Sequence, residues 1–256
     1  MSLFIRHTLG LTRRQLLILW RQPWFVAITL IQPLIWLLLF GSLFKRVVEL
    51  PGFHGGSYVE FLTPGVLVMS ALFAGGWHGM AYIDAMNRGI LDRFLVSPMR
   101  RGALVAAGFL YGAVVIVVQS LVIVGVAYAD GAHFPAGSIA AMIVLAVLLG
   151  GCVAALSDAL ALVARQEETL IGAVQFVVLP ATFLSSAMMA AALMPGWIGS
   201  VARFNPVNWA VEAGRSAAMQ HIDWGLVAGR VGLLAALALA GGALATRAFG
   251  RYQRSL

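Results

Sequence analysis

The run WFVAITLIQPLIWLLLFGSLF, Trp24 to Phe44, decides the fold class. It holds 21 residues without a charge, and 13 of them are Leu, Ile, Val or Phe. At about −0.4 kcal/mol each, these side chains favour insertion into a bilayer by roughly 5 kcal/mol. Gln32 and Pro33 reduce that sum without reversing it. A helix of this length rises about 30 Å, the thickness of the hydrocarbon core. The rest of the chain agrees: 61% of its 256 residues are hydrophobic, 11% are charged, and the mean hydropathy is +0.92. A soluble domain is nearer half apolar and a quarter charged. The class is therefore all-α integral membrane, since a spanning segment must satisfy its backbone hydrogen bonds internally.

Working outward, five further apolar segments are long enough to span: about 61–83, 102–128, 137–164, 170–194 and 225–246. The sixth is the weakest, because it contains Arg230. That residue either snorkels to an interface or faces protein. Alanine and glycine fill much of this segment, which suits close helix packing. Before the first span, LGLTRRQLLILWRQP sets apolar residues at helical spacing with arginines between them, as in an amphipathic helix lying on a membrane surface (1–23). The reading is one transmembrane domain of six helices, with no internal repeat and no soluble domain.

Six spans put both termini on one side. The termini, the 84–101 segment and Arg165 carry twelve of the arginines. The opposite loops carry Lys45, Arg46, Arg203 and Arg215. The excess of basic residues on one side marks it as cytoplasmic. The net charge of +7 is explained in the same way and does not call for a nucleic-acid partner. Cys152 is the single cysteine, too few for an intrachain disulfide or a metal cluster, and reads as a small packing residue. The N-terminal apolar run is about twice the length of a secretory signal core and has no cleavage pattern after it.

The cytoplasmic segment DAMNRGILDRFLVSPMRR, Asp84 to Arg101, carries six charges between two uncharged runs. On a helical wheel Ile90, Leu91, Phe94 and Leu95 share one face. Arg88, Gly89, Asp92 and Arg93 share the other. Asp84, Arg88 and Asp92 are spaced to pair along the helix, and Pro98 ends it. A solvated loop needs no such face; a docking element for a cytoplasmic partner does. Lys45 is the only lysine and lies on the outer side, so the chain has no lysine-containing phosphate loop.

RGILDRFLVSPMRR resembles the first cytoplasmic loop of membrane subunits of type-2 ABC exporters, with Arg88, Gly89, Arg93, Leu95, Val96 and Pro98 matching. The run Leu179 to Arg215 is similar to the family's fifth span and following outer segment. The marks are Pro180, Leu184-Ser185-Ser186, Met194-Pro195-Gly196-Trp197, Asn205-Pro206 and Arg215. Tyr58, Pro64 and Gly65 resemble the start of its second span. The flavour is nearest the daunorubicin-resistance and nodulation-factor exporters. The resemblance implies that Arg88, Gly89, Leu91, Asp92, Arg93, Phe94 and Pro98 couple to a separate ATPase, helped by Arg165 and Glu167. It implies two ATPase copies holding ATP and Mg, two membrane subunits forming a homodimer, and a bacterial inner membrane. The chain itself would bind no cofactor and catalyse no bond chemistry. The expected function is ATP-driven export of an amphipathic drug, lipid or glycolipid.

The outer segment 195–224 has its own physical reading. Pro195, Gly196 and Asn205-Pro206 break a long helix, yet the stretch is too apolar for an ordinary loop. Short helices dipping back into the outer leaflet fit both facts; Trp197 sits at the membrane edge, and Glu212 and Arg215 either pair or are solvated. Asp158 is the only acid inside a span and either meets water or a polar neighbour, or serves the cargo path. The five histidines lack metal-ligand spacing, and His78 reads as a packing residue. A stand-alone ion-coupled transporter and a non-transporting scaffold remain as alternatives. The first lacks intramembrane ionisable groups beyond Asp158 and Arg230, and the second does not explain the outer segment.

Overall fold

A computed structural model describes residues 2–21, 23–45, 57–91, 101–135, 137–189, 194–219 and 222–254. The described residues form helices and connecting turns, with no strand among them. Helix α1 (Ser2–Arg21) precedes α2 (Pro23–Ile35), which continues through a π-helical turn (Trp36–Phe40) into a last short stretch (Gly41–Leu43). Then come α3 (Tyr58–Gly76), α4 (Met80–Asn87), α5 (Arg101–Ala129) and α6 (Ser138–Ala164). The chain closes with α7 (Glu167–Phe183), α8 (Gly196–Ala202), α9 (Pro206–Ala218) and α10 (Trp224–Gln253).

Four of the predicted spans are helices long and apolar enough to cross a membrane: Tyr58–Asn87, Gly102–Ala129, Ser138–Ala164 and Trp224–Gln253. The first predicted span is helical from Pro23 to Leu43, with Ala27–Leu43 its described apolar stretch. The fifth differs from the expected 170–194. Its helix ends at Phe183, and 184–189 is a series of bends. The cause is a competing partner: the Asn205 side-chain amide donates to the carbonyls of Ala181 (2.7 Å) and Leu184 (2.9 Å) and caps the helix from outside.

Helix α6 is the centre of the bundle and packs on α3, α5, α9 and α10. Small residues set the distance to α3. A Cβ on Gly75 would collide with the Gly150 carbonyl, and one on Gly79 would come within 2.6 Å of the Ser157 carbonyl. Such close approach is how helices gain packing energy where lipid removes the hydrophobic incentive. The Gly75/Gly79 spacing is thus a real contact. Of the similar pair Gly225/Gly229, Gly229 has nothing within 4 Å. Cys152 is buried, and its carbonyl lies 3.3 Å from where a Cβ on Gly241 of α10 would stand.

Helix α1 lies across the start of α5. Thr12 Oγ1 donates to the Ala107 carbonyl (3.5 Å), and Thr8 and Thr12 are buried. Leu9, Leu17, Ile18 and Trp20 are exposed, with Arg13, Arg14 and Arg21 among them. An outward face of this composition suits a bilayer interface.

Replacing Gly75 with Val should lower the stability of the purified chain by about 1–3 kcal/mol, the usual cost of overpacking. Gly229→Ala should leave it unchanged or slightly raised. Thermal unfolding in detergent followed by tryptophan fluorescence checks both; an unaltered Gly75→Val variant would refute the close α3–α6 contact.

Candidate functional site

The first functional feature is a break. Helix α3 stops at Gly76 and α4 begins at Met80, so the second span is interrupted at Trp77–Gly79. Interrupted backbone inside a membrane must find partners. Ser157 supplies them: its hydroxyl donates to the Gly76 carbonyl (2.5 Å) and accepts from the Gly79 amide (3.1 Å). The next residue, Asp158, meets His78, with Oδ1 2.7 Å from Nδ1. Both side chains are buried, at 3% and 10% exposure. With Asp158 ionised, Nδ1–H donates to it. The other side of the ring rests on Gly108 of α5 and is flanked by Tyr82 and Tyr111. Two adjacent residues of α6 therefore hold the broken second span, one by its backbone and one by its imidazole.

His78 is buried against Gly108 with its hydrogen bond satisfied, as a packing histidine should be, and the partner that satisfies it is Asp158. The available signal was an adjacent polar pair, Ser157-Asp158, inside an apolar run, and a histidine set among glycines. Its partner, 80 positions away, left no local trace.

The second feature is the outer segment. Helices α8 and α9 are separated by a turn at Arg203–Asn205, and α9 lies against α3 and α6. Asn205 caps α9 by accepting from the Val207 amide (3.0 Å), while Pro206 occupies its first turn. Asn208 accepts from the Ser186 amide (2.9 Å) and donates to Glu212 (2.8 Å). Glu212 then meets Arg230 of α10 at 3.0 Å, so Arg230 faces protein, and of the two alternatives left open for Glu212, pairing with Arg215 or solvation, neither describes its ion pair. Arg215 turns the other way: it donates to the carbonyls of Phe61 (3.2 Å) and Ala187 (3.0 Å) and lies 3.6 Å over the Phe61 ring. Burial pushes the Arg215 guanidinium down to about 9, opposed by Tyr58 and Glu212, so it stays charged at neutral pH. These side chains satisfy the bent backbone after α7. Pro195 is the N-cap of α8, and Trp197 in its first turn is exposed.

The third feature is the charged end. Asp84 and Arg88 pair at 2.9 Å on the surface. The continuous helix expected through 88–95 is interrupted by a turn at Arg88–Gly89, where Gly89 takes φ +63°, and helical backbone resumes at Ile90 and Leu91. A positive φ favours glycine, which has no Cβ to clash. Leu91 is buried in the cluster that also contains Leu162, Leu170, Phe249 and Tyr252. Asp92, Arg93, Phe94 and Pro98 lie outside the described residues. Arg165 ends α6 in the left-handed conformation, φ 57°, with its guanidinium 4.7 Å from the Tyr252 ring centroid; Glu167 opens α7 and is exposed. Among the described residues, no three His, Cys, Asp or Glu side chains gather as a metal site.

Replacing His78 with Ala should destabilise the chain by about 3–5 kcal/mol, because Asp158 is left buried without its partner. The double change His78→Leu, Asp158→Leu should cost less than the sum of the single changes. Denaturation of the purified variants in detergent checks this; strictly additive effects would show that the two side chains act separately.

Comparison with known proteins follows the same lines. Residues 6–219 match the model of the ABC-2 type transporter family. A protein described as a transport permease, ycf38, of Porphyra purpurea is 30% identical over 86% of this chain and 76% of its own length. Its counterpart in Cyanophora paradoxa is 28% identical over 86% and 77%. A protein described as the doxorubicin-resistance ABC transporter permease DrrC of Mycobacterium tuberculosis is 27% identical over 85% and 78%. With a family match over most of its length and a bundle of helices apolar enough to cross a membrane, the chain belongs to the ABC-2 type transporter family of membrane permeases.

Proposed function

We propose that this chain is the membrane subunit of an ATP-driven exporter, working as a homodimer with two copies of a cytoplasmic ATPase. The observation that carries the reading is the burial of Leu91 in one cluster with Leu162, Leu170, Phe249 and Tyr252. Through it, a push on the charged 84–101 segment is delivered to α6, α7 and α10 together. The exposed Asp84–Arg88 pair and the Arg165–Glu167 turn present charge at the same end. Coupling requires that this surface bind the two nucleotide states of the ATPase unequally, since equal binding transmits nothing.

In this reading both termini and the 84–101 segment are cytoplasmic, and the membrane is the bacterial inner membrane. ATP and Mg are held by the ATPase. Pro195, Trp197, Asn205, Pro206, Glu212 and Arg215 belong to a re-entrant outer segment that closes the outer mouth of the path. The cargo is amphipathic, a drug, lipid or glycolipid leaving the cytoplasm or inner leaflet. The DrrC relative's association with doxorubicin resistance supports that class.

A second reading, a stand-alone ion-coupled transporter, draws on the His78–Asp158 pair, an ionisable couple within the spans. The two readings part on one experiment. Mild-detergent purification from the native membrane should bring down a phosphate-loop ATPase in stoichiometric amount. Arg88→Ala with Asp92→Ala should lower cargo-stimulated ATP turnover about tenfold, the equivalent of ~1.4 kcal/mol, with the complex still assembled. A homo-oligomer without ATPase, transporting on a proton gradient, would instead establish the second reading.

A further inference from the structure

A cavity of about 550 Å³ lies between α1–α2 on one side and α3, α5 and α6 on the other. Its size falls in the range of about 300–1,000 Å³ typical of small-molecule sites. The wall is mostly apolar, with Met69, Phe73, Phe109 and Ile116 among its residues. Such a surface holds water poorly and suits an apolar body. The cavity is partly open rather than sealed, so a molecule can enter it without the helices parting.

One polar group in this wall stands out. Gln119 is 2% exposed and sits in the middle of α5, an expensive place for an amide. Its Nε2 donates to Thr29 of α2 (2.9 Å), and its Oε1 accepts from Ser70 of α3 (3.3 Å). A glutamine amide has two N–H donors and a carbonyl with two lone pairs. Each of these bonds uses half of one kind, which leaves one donor and one lone pair for a molecule in the cavity. Charge narrows the class further. Among the described residues no Lys or Arg lines the cavity, and the one carboxylate among them, Asp84, is already paired with Arg88. The imidazole of His78 in the same wall is engaged by Asp158, so an anionic group inside would lose its hydration without a free cation among the described lining residues.

We propose that this cavity binds an uncharged amphiphile taken from the membrane, its apolar body against Phe73, Phe109 and Ile116 and its hydroxyl or carbonyl on Gln119. The inference deepens the export reading, on which it rests for the site's purpose; the binding itself requires neither ATP nor a partner.

The test uses the full-length chain in lipid nanodiscs and two photoactivatable diazirine probes of equal chain length. One is an uncharged monoacylglycerol and the other an anionic alkyl sulfate. Cross-linked peptides are mapped with and without competing unlabelled monoacylglycerol. The expected result is competed labelling of the α3 and α5 wall by the monoacylglycerol, several-fold above the sulfate. Gln119→Leu should lower it about fivefold, the loss of one hydrogen bond. Gly112→Phe should abolish it by filling the space, since a Cβ there meets only His78 Cδ2 at 3.9 Å. If that variant does not fold, Ala74→Phe on the same wall replaces it. Equal labelling by both probes, uncompeted and unchanged in the filled variant, would overturn the proposal. An ATPase that co-purifies while labelling fails removes this site and leaves the export reading standing; competed labelling without an ATPase does the reverse.

Discussion

The structure depends on one constraint: inside a bilayer no water is present to satisfy a backbone that leaves the helix. Among the described residues the chain leaves the helix at two places in its apolar segments, Trp77–Gly79 and 184–189. Both departures are met by side chains from elsewhere. Ser157 takes the Gly76 carbonyl and the Gly79 amide. Asn205, Asn208 and Arg215 take the carbonyls and amide of the second break. Polar residues that look isolated in an apolar sequence are placed where the backbone has no other partner.

This places the sites where they are. A break in a helix is a position at which two rigid halves can change their angle, and a side chain bridging it joins the neighbouring helix to that change. The second span is bridged by α6, the helix that packs on α3, α5, α9 and α10. The break after α7 is bridged by α9, which reaches α10 through the Glu212–Arg230 pair. At the charged end, Leu91 joins the segment after α4 to the same buried cluster. Both breaks and the described start of the charged segment are thus packed against one core.

Much of this was legible before the fold. Trp24–Phe44 and its successors declare themselves through length and composition, which are local properties. The amphipathic α1, the charged 84–101 segment and the broken outer segment are visible for the same reason. The Asn205-Pro206 step is a local signal too and sits at a helix cap, whereas Gly89, read as part of a helix, takes a turn instead. The end of the fifth helix was not legible, because what stops it at Phe183 is an amide 21 residues beyond the last carbonyl it takes.

What the sequence by itself determined is the class of the chain, the number of apolar segments and the places where charge is tolerated. Tertiary structure alone decided who meets whom: His78 with Asp158, Glu212 with Arg230 rather than Arg215, and Gln119 with Thr29 and Ser70. The reason is physical. In a soluble helix one face is apolar, and its period names the side that turns inward. In lipid both faces are apolar, so periodicity carries no such instruction, and small-residue contacts and scattered polar groups choose the rotation of each helix. Those choices depend on distances between segments far apart in the chain, and they exist only once the helices have packed.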